Sequence, residues 1–141
     1  MAGGAPLYLS SCEPFDGCPG FVNVNQWTID TLDHLKGVPD NEAFVRGAES
    51  GKIYRVAGGA PVYITDCGPL GECRGFVNVN EWTIEARDHL RQSPTDGTVL
   101  EGRPSATFWG LQAGQRHQLE PPRTSAVAVD DGALEAFEVG P

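Results

Sequence analysis

The residues Gly58-Gly59-Ala60-Pro61-Val62-Tyr63 decide how this chain is built, because they open a segment that occurs twice. A near copy, Gly3-Gly4-Ala5-Pro6-Leu7-Tyr8, lies 55 residues earlier, and residues 3–36 align with residues 58–91 without a gap. Twenty of the 34 aligned residues are identical. An internal repeat of this length indicates an architecture made of repeated supersecondary units.

A third and more divergent copy follows the second. Residues 127–134 (VAVDDGAL) match residues 77–84 (VNVNEWTI), and residues 108–119 match residues 54–66. A chain of 141 residues is long enough to bury one core. We therefore predict a single domain, 1–141, with a partial first repeat (3–47), a second repeat (48–102) and a degenerate third repeat (103–141).

Each repeat predicts a small antiparallel β unit. A hairpin of residues 43–57 leads through Gly58-Gly59 into a strand of residues 61–65. The second repeat gives the same hairpin within residues 97–111, followed by a strand at residues 115–119. In the first repeat we predict strands at residues 5–10 and 21–25, the latter half-buried because its residues alternate with period two.

A short helix is predicted to end each unit. Asn25, Asn80 and Asp130 precede the helical patterns and have side chains suited to an N-cap. Helical spacing then predicts that Trp27 packs inward.

The predicted fold is mainly β, a pseudo-symmetric array of three repeats of about 50 residues. The first repeat begins at its third strand. Either the C-terminal end completes it, in a propeller-like or trefoil-like closure, or it presents an open edge, which proteins rarely leave uncovered. An open edge would favour a homodimer.

The four cysteines form two matched pairs, Cys12 with Cys18 and Cys67 with Cys73. Three disulfide connectivities can be drawn. Pairing within each repeat is the simplest, because the Pro- and Gly-containing loops can turn back tightly. Zinc ligation by four thiolates is the alternative, but zinc-binding pairs are usually spaced two to four residues apart. Disulfides predict an oxidising compartment, hence a secreted or cell-surface protein.

Charge and hydropathy exclude several classes of partner. The net charge of −9 argues against nucleic acid, which requires a basic face. Membrane insertion is not expected, because no apolar run approaches a membrane span. Residues 1–5 have no basic and apolar signal segment.

The segment from Ile53 to Tyr63, IYRVAGGAPVY, together with Pro94-Thr95-Asp96-Gly97-Thr98, resembles tandem repeats of actinobacterial extracellular proteins built on a GGAP motif. Residues 106–117 are similar to a related and more widespread repeat of bacterial surface proteins. The resemblance covers essentially the whole chain. It implies a secreted, noncatalytic role in targeting or adhesion, and supplies no catalytic residues. The cysteine loops and the missing GGAP motif of the third repeat depart from the family pattern.

Catalytic and metal-binding chemistry find little support in the sequence. Serine catalysis needs a base and an orienting group near the nucleophile, and Ser10 and Ser11 are replaced by Thr65 and Asp66 in the second repeat. The repeated histidines, His34 and His89, lie late in predicted helices, where histidine commonly contacts terminal carbonyls. We expect no enzyme activity, no metal and no cofactor.

Glycan binding requires aromatic faces for sugar C–H groups and planar amides or carboxylates for hydroxyls. The residues that offer these groups are Tyr8, Asp16, Asn23, Tyr63, Asn78 and Trp109. We expect a secreted module that binds an extracellular carbohydrate or cell-wall glycan. A protein-binding module acting through a disulfide loop, such as an adhesin segment or hydrolase inhibitor, and a structural spacer are the alternatives.

Overall fold

The computed structural model of the protein describes residues 1–121 and 123–141, and it is mainly β. The strands are β1 (Phe44–Gly47), β2 (Ile53–Ala57), β3 (Ala60–Tyr63), β4 (Val77–Val79), β5 (Val99–Arg103), β6 (Thr107–Gln112), β7 (Gln115–Leu119), β8 (Val127–Asp130) and β9 (Glu138–Val139). The two α-helices are α1 (Gln26–Asp30) and α2 (Glu81–Glu85), and 3₁₀ helices span Glu13–Phe15, Gly68–Cys73 and Asp131–Ala136.

The strands form two mixed sheets with the same internal order. Sheet A has the order β3-β2-β1-β4, and sheet B has the order β8-β5-β6-β7-β9. The predicted hairpins of both repeats are confirmed as antiparallel pairs, β1 with β2 and β5 with β6. The last strand of each unit, β4 or β8, pairs in parallel with the first, β1 or β5. This parallel pairing was not predicted, because it joins segments that are distant in sequence.

The registers of the two sheets correspond at an offset of 55 residues. Val45 lies opposite Tyr54 in sheet A, and Leu100 lies opposite Trp109 in sheet B. Trp109 therefore takes the place of Tyr54. The predicted alignment, which matched Phe108 to that position, was wrong by one residue.

The part of the first repeat that precedes β1, residues 3–43, contains no strand. The strands predicted at residues 5–10 and 21–25 are wrong; the structure has only an isolated bridge between Ala2 and Ala5. In sheet A the two middle strands, β2 and β1, join the outer strands β3 and β4. No described residues provide those two middle strands for the first repeat, so its backbone has no ladder to join. The described strands accordingly form two open sheets and no closed barrel.

The hydrophobic core consists of two clusters, and each cluster joins parts of the structure that are neighbours in sequence. A larger cluster joins sheets A and B, with Phe44, Val62 and Ile64 on one side and Leu100 and Val129 on the other. A smaller cluster of Ala2, Val45, Val79 and Ile84 is covered by Leu7 and Leu9 of the first repeat. The first repeat thus packs on sheet A, and sheet A packs on sheet B. Removal of this apolar surface from water is the main stabilising contribution.

The three residues predicted as N-caps occupy that position, but their side chains make no capping hydrogen bond. The Asn80 side chain instead bonds the backbone of Ser11, accepting from its N–H at 3.3 Å and donating to its carbonyl at 2.9 Å. The Asp130 carboxylate likewise accepts from the Thr65 N–H at 3.0 Å and from the Thr65 hydroxyl. Each buried side chain therefore connects its own repeat to the preceding one.

A carboxylate from the β1–β2 turn caps helix α2 in place of Asn80. The Glu49 carboxylate accepts from the Glu81 N–H at 2.8 Å. This backbone hydrogen bond is the main reason why the pKa of Glu49 lies below its ordinary value. Hydrogen bonds that favour the ionised form lower the pKa of a carboxyl group.

The predicted inward packing of Trp27 is also wrong. The Trp27 side chain is 63% exposed, and its equivalent Trp82 is 47% exposed. In helix α2 the buried face consists of Thr83 and Ile84. A helix of only five residues buries a narrow face, and the smaller residues occupy it in this protein.

We expect Asn80→Ala to lower the free energy of unfolding by about 1–3 kcal/mol, because it leaves the part-buried N–H and carbonyl of Ser11 without these partners. The control is Asn25→Ala, at the equivalent but exposed position; its cost should be below about 0.5 kcal/mol. Urea unfolding followed by circular dichroism measures both. Equal losses would contradict the bridging role of Asn80.

Candidate binding site

Tyr8 and Tyr63 occupy equivalent positions but have different aromatic neighbours. The ring of Tyr8 is exposed and meets Trp82 edge-on, with 5.5 Å between ring centroids. The ring of Tyr63 is tilted against Tyr54 at 5.5 Å, and the Nζ atom of Lys52 lies 5.7 Å from its centroid. Both tyrosines therefore present ring surface to solvent, at separate places.

Asn78 and Asn23, the two asparagines predicted to bind a ligand, also differ in their surroundings. The Asn78 side chain is exposed beside β1 and accepts a hydrogen bond from Nη1 of Arg46 at 3.1 Å. The same guanidinium lies 5.6 Å from the centroid of the Phe76 ring. Asn23, the equivalent of Asn78, is exposed in the segment of the first repeat that forms no strand.

Asp16 and Trp109 lie apart from these residues. Asp16 is exposed at the end of the 3₁₀ helix in the first disulfide loop and has a left-handed backbone, φ 52°. Trp109 is half-buried in β6, where its indole N–H donates to the Thr107 hydroxyl at 3.1 Å and the Arg116 guanidinium lies 4.8 Å from the ring. Among the aromatic and hydrogen-bond contacts of the described residues, none joins two of the six predicted ligand-binding residues.

Both predicted disulfides are present, Cys12–Cys18 and Cys67–Cys73. The second bond belongs to the core: Cys73 is fully buried, and Cys67 and Leu70 pack against the larger cluster. The cysteines of the first bond lie nearer the surface. The two loops are therefore similar in sequence but not in environment.

An open concavity lies along the turn made by Gly58 and Gly59. It has a volume of about 640 Å³ and continues, through Asn41, Gly58 and Thr95, into a second concavity of about 450 Å³. We call the two together the turn groove. Its lining residues are Lys36, Gly37, Val38, Pro39, Asp40, Asn41, Gly58, Gly59, Arg91, Thr95, Asp96, Gly97, Thr98, Val99, Thr124 and Ser125.

The floor of the turn groove is a backbone turn held on both sides. The Asn41 side chain accepts from the Gly58 N–H at 2.8 Å. The Thr95 and Arg91 N–H groups donate to the Gly58 and Gly59 carbonyls at 3.1 and 2.8 Å. Gly58 has a positive φ of 55°, and a Cβ atom there would collide with the Thr98 hydroxyl. Glycine is therefore required both by the turn and by the close approach of the neighbouring chain.

The turn groove carries cationic groups on a chain with a net charge of −9. The Lys36 ammonium pairs with the Asp40 carboxylate. Arg91 lies over the turn, because its Cδ would be 2.8 Å from a Cβ on Gly59. Among the ion pairs of residues 1–121 and 123–141, none involves Arg91. Its guanidinium is thus available to an acceptor from outside the protein.

The other shifted ionisable groups are explained by local structure. Burial raises the pKa of Tyr54 and lowers that of Arg55. Arg55 donates to the Ala128 carbonyl at 2.7 Å, and its guanidinium lies 4.4 Å from the centroid of the Phe44 ring. Neither group lines the turn groove.

The turn groove was missed by sequence reasoning, because it contains no aromatic residue. A signal for it existed: Lys36 and Arg91 are equivalent residues in the aligned segments, and each is a cation beside a Gly-Gly turn. Within the described chain, no cluster of three or more histidine, cysteine or acidic side chains could hold a metal ion. Nor does any helix in that part of the chain have the length and apolar character to cross a membrane.

Comparison of the chain with protein-family models, with curated proteins and with solved structures finds no match. The similarity to GGAP-type extracellular repeats remains a prediction from the motifs.

Proposed function

We propose that the protein is a noncatalytic module that binds an extracellular carbohydrate or cell-wall glycan in the turn groove. The observation that carries this proposal is the groove itself, which is open and exposes hydrogen-bonding groups beside its apolar surface. Hydroxyl, amide, carboxylate and guanidinium groups line it along two connected concavities. Sugars present many hydroxyl groups, which such side chains can bind with little loss of hydration.

The rigidity of the groove supports binding. The Gly58–Gly59 turn is fixed by hydrogen bonds from both flanking segments. A surface that is already ordered loses little conformational entropy when a ligand binds. The hydroxyl of Thr98 donates to the Thr95 carbonyl at 2.7 Å, so this wall of the groove is also held in place.

The charge of the groove favours a sugar with an acidic substituent. Arg91 offers a planar fork of N–H donors, which suits a carboxylate or phosphate group. Lys36 adds a second cation, partly compensated by Asp40. We therefore expect acidic sugars to compete more strongly for the groove than neutral sugars.

A secreted or cell-surface location is part of the proposal. Two disulfides support it, because structural disulfides persist mainly in oxidising compartments. The array of three repeats also remains a proposal for the first repeat, which contributes aligned residues but no strand before β1.

Binding of the labelled, oxidised protein to a glycan array and to isolated bacterial cell walls tests this proposal. We expect saturable binding that a free sugar competes away, and we expect Arg91→Glu to weaken it at least about tenfold, the effect of losing about 1.4 kcal/mol. The matched control is Arg74→Glu, which makes the same charge change on an exposed residue outside the groove.

Two results would overturn the proposal. One is the absence of glycan and cell-wall binding by protein whose fold is verified by circular dichroism. The other is an equal loss of binding in the two arginine variants, since that would assign the effect to overall charge. Protein binding is the second candidate function, and the observation that favours it is the exposed apolar surface of the first repeat.

A further inference from the structure

The first and second repeats place identical residues in opposite environments. The sequence Phe-Val-Asn-Val-Asn begins at Phe21 in the first repeat and at Phe76 in the second. Val24 is 55% exposed, whereas its equivalent Val79 is 2% exposed. Ile29 and Leu35 are only partly buried, whereas Ile84 and Leu90 are buried. The first repeat has the side chains of a core, but the described chain covers them only in part.

The hairpin β1–β2 covers these residues in the second repeat. It provides the two middle strands of sheet A, between β3 and β4. Val45 of β1 lies opposite Val77 and forms a buried cluster with Val79 and Ile84. Sheet B repeats this arrangement, with Leu100 opposite Val127.

The first repeat retains the two outer segments of such a sheet. Residues 5–8 are equivalent to β3, and residues 22–24 are equivalent to β4. Between them lies an apolar groove of about 520 Å³, lined by Met1, Pro6, Gly20, Val22, Val24, Thr28, Ile29 and Leu35. We call it the hairpin slot. Its position, between the equivalents of β3 and β4, is that of the two missing middle strands.

We propose that the hairpin slot is a docking site for a β-hairpin of the same repeat type, presented by polypeptide outside residues 1–141. Its first strand would pair in parallel with residues 21–25, and its second strand would pair antiparallel with residues 5–8. Strand addition of this kind supplies main-chain hydrogen bonds, while side-chain pockets supply specificity.

The two complete sheets define the chemistry of the occupant. In each sheet an aliphatic residue lies opposite the valine that begins the parallel strand: Val45 lies opposite Val77, and Leu100 lies opposite Val127. A glycine follows two residues later, because a Cβ on Gly47 or Gly102 would collide with the acidic residue that begins the following helix. In the first repeat the residue at that position is Gln26, which is exposed.

A turn serine completes the pattern. The Ser50 hydroxyl donates to the Glu81 carboxylate at 2.7 Å, and the Ser105 hydroxyl donates to the Asp131 carboxylate at 2.6 Å. The amide oxygen of Gln26 can accept the same bond. The predicted occupant is therefore a hairpin with an aliphatic residue, a glycine two positions later and a serine in the turn.

A second copy of this chain does not fit the slot. Both of its hairpins are engaged in their own sheets, β1–β2 with β3 and β4, and β5–β6 with β7 and β8. Releasing either one would expose a buried core cluster. The occupant is therefore a hairpin that is not already paired.

The gapless alignment permits a direct test, because Met1-Ala2 is equivalent to Val56-Ala57. Residues 39–57 are grafted in front of Gly3, in place of Met1-Ala2, in the otherwise complete chain. Hydrogen exchange followed by mass spectrometry then reports on residues 21–25. We expect the graft to slow exchange of these amides at least about tenfold, as pairing does for other strands, and to raise the midpoint of thermal unfolding.

Two controls make the result specific. A graft carrying Val45→Asp has the same length and turn but places a carboxylate in the apolar slot, and it should give no protection. The intact graft combined with Val24→Asp should also give none. We expect Val24→Asp alone to leave the fold unchanged, because Val24 is 55% exposed.

Three outcomes would overturn the proposal. The first is unchanged exchange at residues 21–25 in the intact graft. The second is equal protection by the intact and the Val45→Asp grafts. The third is a concentration-dependent dimer of the ungrafted chain, by sedimentation, with protection at residues 21–25, since a second copy would then fill the slot.

Discussion

Val79→Asp is expected to leave the protein largely unfolded, whereas Val24→Asp, the same change at the equivalent position, should change the free energy of unfolding by less than about 0.5 kcal/mol. The difference follows from burial. Val79 is 2% exposed and packs in a cluster with Val45 and Ile84. A carboxylate there would have no partner, and burial of an unpaired charge costs more than about 4 kcal/mol, most of the stability of a small domain.

Circular dichroism during thermal and urea unfolding measures both variants. Val24 is 55% exposed and lies in a segment that forms no strand, so the aspartate at this position stays in water. Similar unfolding of the two variants would mean that residues 21–25 are packed in solution, and that the first repeat is complete without an added hairpin.

Removal of the second disulfide should destabilise the protein more than removal of the first. Both bonds close loops of the same length, with a sequence separation of 6. Loop-closure entropy therefore predicts a similar loss for each, about 2 kcal/mol. Cys73 is fully buried in the larger core cluster, and removing its sulfur atom in the alanine variant also leaves a small cavity. We expect the double alanine variant at positions 67 and 73 to lose about 3–4 kcal/mol of unfolding free energy. The double alanine variant at positions 12 and 18 should lose about 2 kcal/mol or less.

Urea unfolding of the two double variants, each compared with the oxidised parent, gives these values. Mass spectrometry confirms that the remaining bond is intact in each variant. A larger loss for the first pair would show that the loop of residues 12–18 holds the first repeat on sheet A more strongly than its side-chain contacts indicate.

The hairpins could be predicted because their determinants are local. Alternating residues, Gly-Gly turns and a serine-containing turn lie within a few residues of one another, and the structure confirms β1, β2, β5 and β6. The parallel pairing of β4 with β1 could not be read in the same way. It joins residues about 30 positions apart, and no local pattern near Val77 indicates which strand it pairs with.

The first repeat shows why identical residues need not form identical structure. Residues 21–25 repeat residues 76–80 letter for letter, yet only the second set contains a strand. A strand is stable only when a neighbour accepts its hydrogen bonds, so the absence of that neighbour outweighs the pattern. Asn25 and Asn80 differ for a related reason, because only Asn80 has a preceding repeat within reach of its side chain.

The candidate site could be predicted only in part. The sequence singles out aromatic residues such as Tyr8 and Tyr63 by their side chains, but the two rings have different aromatic neighbours, Trp82 and Tyr54. The turn groove is formed largely by backbone turns and by the segments that clamp them, such as the Thr95 and Arg91 amides on the Gly58–Gly59 turn. A surface formed by backbone groups cannot be recognised from a pattern of side chains in the sequence.

The first repeat packs on sheet A and sheet A packs on sheet B, so each part of the chain packs on its neighbour in sequence order, as the units of a linear array do. In such an array stability is a sum of intrinsic terms and nearest-neighbour interface terms. Both end units have one such interface, but residues 1–36 contain no strand of their own. Loss of structure should therefore begin at residues 1–36 and proceed to sheet A. A unit added at that end would give residues 1–36 neighbours on both sides and convert the least cooperative part of the protein into an interior one.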